Sequence, residues 1–195
     1  MMIKNVKVEI SARHIHVSRG DLDILFGTDY NLKKYKNLSQ DGEFASSDVV
    51  NLISDNGEID NVRILGPIRN ETQVELSLTD ARKLRVFAPI RISGDIDGTP
   101  GIKIKGPVGE IYIPKGVIIA KRHFHCSLNT AKKYGFRNGD NVKVKINGIR
   151  GLIFDNVEVR VADNFNDAVH LDTDEGNACS DGSGIIYGDI EIENK

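Results

Sequence analysis

Ser11-Ala12-Arg13-His14-Ile15-His16-Val17-Ser18 and Ala120-Lys121-Arg122-His123-Phe124-His125-Cys126-Ser127 are two copies of one pattern in this chain. Both contain the string Arg-His-x-His-x-Ser, and together they hold four of the five histidines. Apolar β-formers precede each copy, Val6-x-Val8-x-Ile10 in the first and Val117-Ile118-Ile119 in the second, so each copy reads as the end of a strand. Side chains i and i+2 of a strand share a face, roughly 6.6 Å apart along the chain. His14 and His16 therefore point the same way, as do His123 and His125, while Arg13 and Arg122 fall on the opposite face. Two imidazoles at that reach can close on one metal ion. A single H-x-H is explained as readily by a solvated sheet surface. Its recurrence with the same flanking Arg and Ser favours a metal site.

Each string runs into a short helix. In the first copy Ser18 is the N-cap, Asp21 lies in the first turn and Gly27 is the stop. In the second, Ser127 caps Leu128–Tyr134 and Gly135 ends it. The same unit thus appears at positions 109 residues apart, from His14 to His123. This is the mark of an internal duplication and predicts two similar small domains rather than one large one.

The rest of the chain is rich in short alternating segments. Val49–Ile53 and Ile59–Leu65 flank the turn Asp55-Asn56-Gly57, a good hairpin signal. Thr72–Leu78 alternates, Thr79–Leu84 reads as a capped helical turn, and Ile90–Ser93, Ile102–Lys105 and Glu110–Ile113 read as strands. In the last third Asn141–Ile146 and Gly151–Phe154 flank Asn147-Gly148, followed by Val157–Val161, Ala168–Asp172 and Gly184–Ile190. The expected fold class is mainly β: two small β-barrel domains capped by short α-helices.

Composition excludes several functions. Lys and Arg number 26 against 28 Asp and Glu, a net charge of −2, so a general nucleic-acid binder is not expected. No long apolar segment or secretory signal is visible, which argues against a membrane partner. Cys126 and Cys179 form no disulfide framework, and a cytoplasmic, reducing compartment is the expectation. Cys126 follows His125 and reads as core; Cys179 lies in a Gly/Ser/Asp-rich stretch that reads as a loop.

Other residues carry candidate chemistry. His170, the fifth histidine, ends a strand in Val169-His170-Leu171-Asp172-Thr173-Asp174-Glu175-Gly176-Asn177, and four other candidate ligands favour its being a ligand too. Asp172, Asp174 and Glu175 lack the downstream Glu of an EF-hand and read as a turn and helix start. Glu75 sits mid-strand, where either an exposed face or a carboxylate ligand explains it. Arg63 and Arg69 bracket Gly66-Pro67 and together would make a fork-like anion site, because guanidinium groups match phosphate oxygens bidentately.

Four motifs, in order, then resemble one family. They are Ser11-Ala12-Arg13-His14-Ile15-His16, Arg63-Ile64-Leu65-Gly66-Pro67-Ile68-Arg69-x-x-Thr72-Gln73-Val74-Glu75, Arg122-His123-x-His125, and His170-x-Asp172-Thr173-Asp174-Glu175-x-Asn177. The chain is similar over nearly its whole length to the phosphate propanoyltransferases, the PduL-type phosphotransacylases associated with bacterial microcompartments. The resemblance implies two β-barrels, 13–120 and 121–195, the second completed by the N-terminal strand 1–12. It also implies two zinc ions per chain, with His14, His16, Glu75, His123, His125 and His170 as ligands. Arg69 is the implied phosphate-binding residue, and Arg69 and Glu75 are implied in catalysis. Ser11, Lys36, Arg63, Leu65, His170 and Asn177 are implied near coenzyme A. A homo-oligomer and microcompartment association also belong to what it implies. Packaged members carry an N-terminal amphipathic extension, whereas strand-like sequence starts here within a few residues of Met1. Cys126 stands where a larger apolar residue is usual, and a small hydrophobe is tolerable there.

The expected activity is acyl-CoA + phosphate ⇌ acyl phosphate + CoA for a short acyl group, propanoyl or acetyl. A zinc pair would orient the phosphate and polarise the thioester carbonyl, so no side-chain nucleophile is required. The alternatives are a zinc-dependent thioester hydrolase and a non-catalytic metal-stapled barrel. Structural zinc usually takes a closed Cys-rich ligand set, which disfavours the latter.

Overall fold

The structure is a computed structural model describing residues 2–180, 182, 184 and 186–192. The chain opens with β1 (Met2–Ser11), β2 (His14–His16), helix α1 (Arg19–Phe26) and β3 (Lys34–Asn37). The hairpin β4 (Phe44–Ser54) and β5 (Gly57–Gly66) leads to β6 (Gln73–Leu76), α2 (Leu78–Leu84) and the two-residue β7 (Ile90–Arg91). Next come β8 (Ile102–Lys105), β9 (Glu110–Ile113), β10 (Val117–Ala120), β11 (His123–Ser127) and α3 (Leu128–Tyr134). The last elements are β12 (Asn141–Ile146), β13 (Leu152–Ala162), β14 (Ala168–Asp172), α4 (Thr173–Cys179) and β15 (Ile186–Glu191). The protein is mainly β, as its alternating apolar pattern predicts.

The chain divides into two compact units, Met1–Ser11 with Lys121–Lys195, and Ala12–Ala120. In the first, the strands close into a barrel of order β1-β14-β11-β13-β12-β15. Phe124, Val144, Val157, Val159, Val169 and Ile190 are fully buried within it. In the second, a half-barrel sheet of nine strands runs β7-β10-β6-β2-β5-β4-β8-β9, with β3 on β4. Its core includes Ile15, Val17, Leu22, Leu52, Ile64 and Val74. Alternation accounts for both cores, because the apolar members of each strand face inward and the charged members outward.

The duplication is visible in the pairing. β2 lies between β5, parallel, and β6, antiparallel, with His14 opposite Glu75. β11 lies between β13, parallel, and β14, antiparallel, with His123 opposite His170. The strand preceding each H-x-H joins the other copy's sheet: β1 runs parallel to β14, and β10 runs parallel to β6. Ser18, Ser77, Ser127 and Asp172 cap the four helices of the described residues, each accepting from the backbone N–H three residues on.

Two local expectations shift. Only Ile90–Arg91 of the Ile90–Ser93 run pairs as strand, because Asp95 N–H bonds Ile92 O and Gly94 turns the chain at φ 99°. Cys179 is not in a loop but ends α4, buried in the barrel. There a reciprocal Asp172–Glu175 capping box nucleates the helix, and the thiol donates to Gly176 O at 3.5 Å. Cys126 is core as expected, and burial pushes its thiol up to about 12. Glycine is required at two close approaches: a Cβ on Gly66 would sit 2.2 Å from the Phe44 ring, and one on Gly176 2.5 Å from Ile10.

Candidate metal centres

Two clusters of metal-ligating side chains occur among the described residues, His14/His16/Glu75 and His123/His125/His170; within each, one donor atom per residue lies within 4.8 Å of the others. The half-barrel cluster follows from register. β2 presents both histidines on one face, and β6 runs antiparallel beside it, so Glu75 comes opposite His14. His14 Nε2 is 3.4 Å from Glu75 Oε2, and His16 Nε2 is 3.9 Å from Glu75 Oε1. All three side chains are buried.

Electrostatics separates the two histidines. Burial, then the neighbouring His14, pushes His16 down to about 3, so it stays a neutral donor. Burial also opposes charge on His14, but the Glu75 carboxylate outweighs it and raises that histidine. For Glu75 burial acts upward, and the adjoining His14 overrides it, holding the carboxyl well below its usual range. The carboxylate is thus ionised and aimed between two imidazoles.

The barrel cluster repeats this plan with a third imidazole in place of the carboxylate. Ring centroids are 4.5 Å apart for His123–His125, 5.0 Å for His123–His170 and 4.5 Å for His125–His170, and the Phe165 ring stacks on His125 at 4.0 Å. The supporting contacts are duplicated as well. His14 Nδ1 lies 2.9 Å from the Ala12 carbonyl oxygen, and His123 Nδ1 lies 2.8 Å from that of Lys121. A carbonyl only accepts, so Nδ1 carries the proton in each and Nε2 is left as the donor atom. Arg13, on the other strand face, bonds Asp80 at 2.9 Å, and Arg122 pairs with Glu175 at 3.2 Å. Each arginine thereby ties the H-x-H strand to the helix following the third member of its cluster.

The donor chemistry fits zinc. Two imidazoles with a carboxylate, or three imidazoles, are the protein ligand sets of open zinc sites. Histidines anchored through Nδ1 to a carbonyl are oriented as metal ligands are.

Arg69 adjoins the half-barrel cluster. Its Nη1 donates to Ser93 Oγ at 2.9 Å and its backbone N–H to Val17 O at 3.0 Å, and its positive charge opposes protonation of His14 and His16 without overturning the rise that Glu75 causes at His14. Gln73 Nε2 donates to Glu75 Oε1 at 2.6 Å and to Ser93 Oγ at 3.0 Å, while Gly94 N–H donates to Gln73 Oε1 at 2.7 Å. Arg69, Ser93, Gln73 and Glu75 therefore form one network. Sequence reasoning missed Ser93 and Gln73: one lies in a loop distant in sequence, and the other passes for an ordinary alternating strand residue.

The remaining candidates fall into the two units. In the half-barrel unit Lys36 pairs with Ala45, which pairs with Leu65, placing Lys36 and Leu65 two strands apart at the same level. The Arg63 guanidinium donates to the Ser46 carbonyl and lies over the Tyr35 ring, 5.5 Å from its centroid. In the barrel unit Ser11 pairs with Asp172, the cap of α4, which carries the exposed Asn177.

The model of the phosphate propanoyltransferase family matches residues 7–181. The phosphate propanoyltransferase of Thermotoga maritima is 50% identical over 182 residues, 92% of this chain and 87% of its own. That of Clostridioides difficile is 46% identical over 181 residues, covering 93% and 87%. That of Sebaldella termitidis is 49% identical over 183 residues, covering 92% and 87%. With a family model spanning most of the sequence, and relatives this similar over most of their length, this chain belongs to the phosphate propanoyltransferase family of acyltransferases.

Proposed function

We propose that this protein interconverts a short-chain acyl-CoA, propanoyl- or acetyl-CoA, and phosphate with acyl phosphate and CoA, holding one zinc ion at each triad. The observation that carries the reading is the network joining Arg69 to Glu75 through Ser93 and Gln73. It sets a permanent cation beside a carboxylate-containing ligand set, as an anionic co-substrate needs and a simple hydrolase does not.

Bound in these triads, zinc supplies Lewis acidity to the thioester carbonyl and to phosphate oxygens. Arg69 neutralises the phosphate and orients it for attack on the carbonyl carbon. The carbon–sulfur bond breaks as the carbon–oxygen bond forms, and CoA leaves as thiolate. Ser93 and Gln73 hold Arg69 and Glu75 in place. Ser11, Lys36, Arg63, Leu65, His170 and Asn177 are the residues we assign to coenzyme A. We assign the domains as 13–120 and 121–195, with 1–12 completing the second.

Release of free thiol from acetyl- or propanoyl-CoA tests the activity. The expected result is release that depends on phosphate; release without phosphate would make the protein a hydrolase. Arg69→Lys keeps the charge but loses the bidentate fork. It should raise KM for phosphate and cost about 1.5–3 kcal/mol in kcat/KM, with zinc content and KM for acyl-CoA little changed. Unaltered phosphate kinetics would place the phosphate site elsewhere.

A further inference from the structure

β4 carries an irregularity that the duplicated frame does not require. Ala45 pairs with Leu65 and Val49 with Arg63, so Ser46, Ser47 and Asp48 stand where β5 has Ile64 alone. On the other side, Lys34 and Lys36 of β3 pair with the adjacent residues Ser46 and Ala45, which makes Tyr35 an extra residue of β3. In the barrel, Glu158 has the place of Arg63, opposite the first histidine of its string, and β12 starts opposite it, at Asn141. The bulged residues 44–48 thus precede the part of the strand that both copies share. Bulges re-aim side chains, and this one lies beside Lys36 and Arg63.

Asp48 fixes the bulge from inside. It is 8% exposed, and an acidic group so buried costs stability unless its oxygens are bonded. Oδ1 accepts from the Tyr30 hydroxyl at 2.9 Å, and Oδ2 from the Lys33 backbone N–H at 2.7 Å. Ser47 N–H donates to the Lys33 carbonyl at 2.8 Å, so the bulge holds that residue's backbone at both its polar groups. Ser46 is fully buried. Its Oγ accepts from Asp48 N–H at 3.1 Å and donates to Ile64 O at 2.9 Å, and its carbonyl accepts from Arg63. The bulge therefore sets the start of the exposed β3 and, next to it, the guanidinium that lies over the Tyr35 ring. The bond to Ser46 uses one of five guanidinium N–H donors. We propose that Asp48 is a positioning residue for coenzyme A: through the bulge it orders residues 33–36 and the Arg63 guanidinium, so that Lys36 and Arg63 meet the phosphates of the acyl-CoA together. This rests on the assignment of Lys36 and Arg63 to coenzyme A.

The test compares propanoyl-CoA with propanoyl-pantetheine, a thioester without phosphates, and checks folding by circular dichroism. Asp48→Ala should raise KM for propanoyl-CoA about tenfold, while kcat, KM for phosphate and kcat/KM for propanoyl-pantetheine keep their parental values. Asp48→Asn should rescue KM, because the amide oxygen can accept from Lys33 N–H while the NH2 group donates to Tyr30 Oη. In a Lys36→Ala/Arg63→Ala background, adding Asp48→Ala should leave KM unchanged, since the side chains it positions are gone. A folded Asp48→Ala protein with parental KM for propanoyl-CoA, or one equally impaired with both thioesters, would overturn the proposal. If Asp48→Ala does not fold, Tyr30→Phe decides in the same assay: a rise of about twofold or more is expected, and a parental KM overturns the proposal. If Lys36→Ala/Arg63→Ala itself keeps the parental KM for propanoyl-CoA, the coenzyme A assignment fails, and the role of Asp48 falls with it.

Discussion

Glu75→Gln should cost the half-barrel site its ion and lower kcat/KM by roughly a thousandfold or more, about 4 kcal/mol. The change is nearly isosteric, and β6 should keep its place between β2 and β10. What it removes is the negative charge aimed between His14 and His16, held ionised there against burial. A neutral amide is a far weaker zinc donor, and its NH2 group would in part oppose the Gln73 amide that now donates to Oε1. Elemental analysis should find about one zinc per chain in the variant and about two in the parent protein. A Glu75→Gln enzyme with full metal content and parental kinetics would remove Glu75 from the site.

Phe124→Ala should be the most destabilising single change in the barrel, by about 3–5 kcal/mol. Phe124 lies between His123 and His125 on β11 and points the opposite way, into the barrel core, where it is fully buried. Its ring meets Phe136 edge-on at 6.0 Å. The closed barrel has no free edge along which to relax, so much of the vacated volume should persist as a cavity. Urea denaturation of both proteins in chelator measures the effect without metal linkage. A loss under about 1 kcal/mol would mean that the barrel does not close around this ring. If the barrel triad holds the proposed ion, the same substitution should also weaken zinc binding there, since the strand that carries His123 and His125 is held by the side chain between them.

Much of this was legible in the chain. Alternation about Ile15 and Phe124 set the paired histidines on one face and the apolar residue on the other. Ser18 and Ser127 marked the helix starts, because a side-chain oxygen that satisfies the first-turn N–H groups is a local requirement. The β4–β5 hairpin followed from a short turn between two alternating runs, and the repeated string announced the duplication. These are contacts between near neighbours in sequence, where residue type constrains geometry directly.

The strand ends, the capped helices, the all-β class and four of the imidazoles of the two candidate metal clusters thus follow from residue pattern. The pattern alone left Glu75 open between surface and ligand, and the family resemblance implied its role. Tertiary pairing decided that Glu75 stands opposite His14 and His170 opposite His123, through β6 and β14. It joined Ser93 and Gln73 to Arg69 and Glu75, and brought Glu9 beside His170. It also set the Arg63 guanidinium against the Ser46 carbonyl and the Tyr35 ring. The physical reason is that register between strands distant in sequence is set by the collective fit of two apolar faces. No single residue encodes that fit, and which polar side chains become neighbours is its consequence.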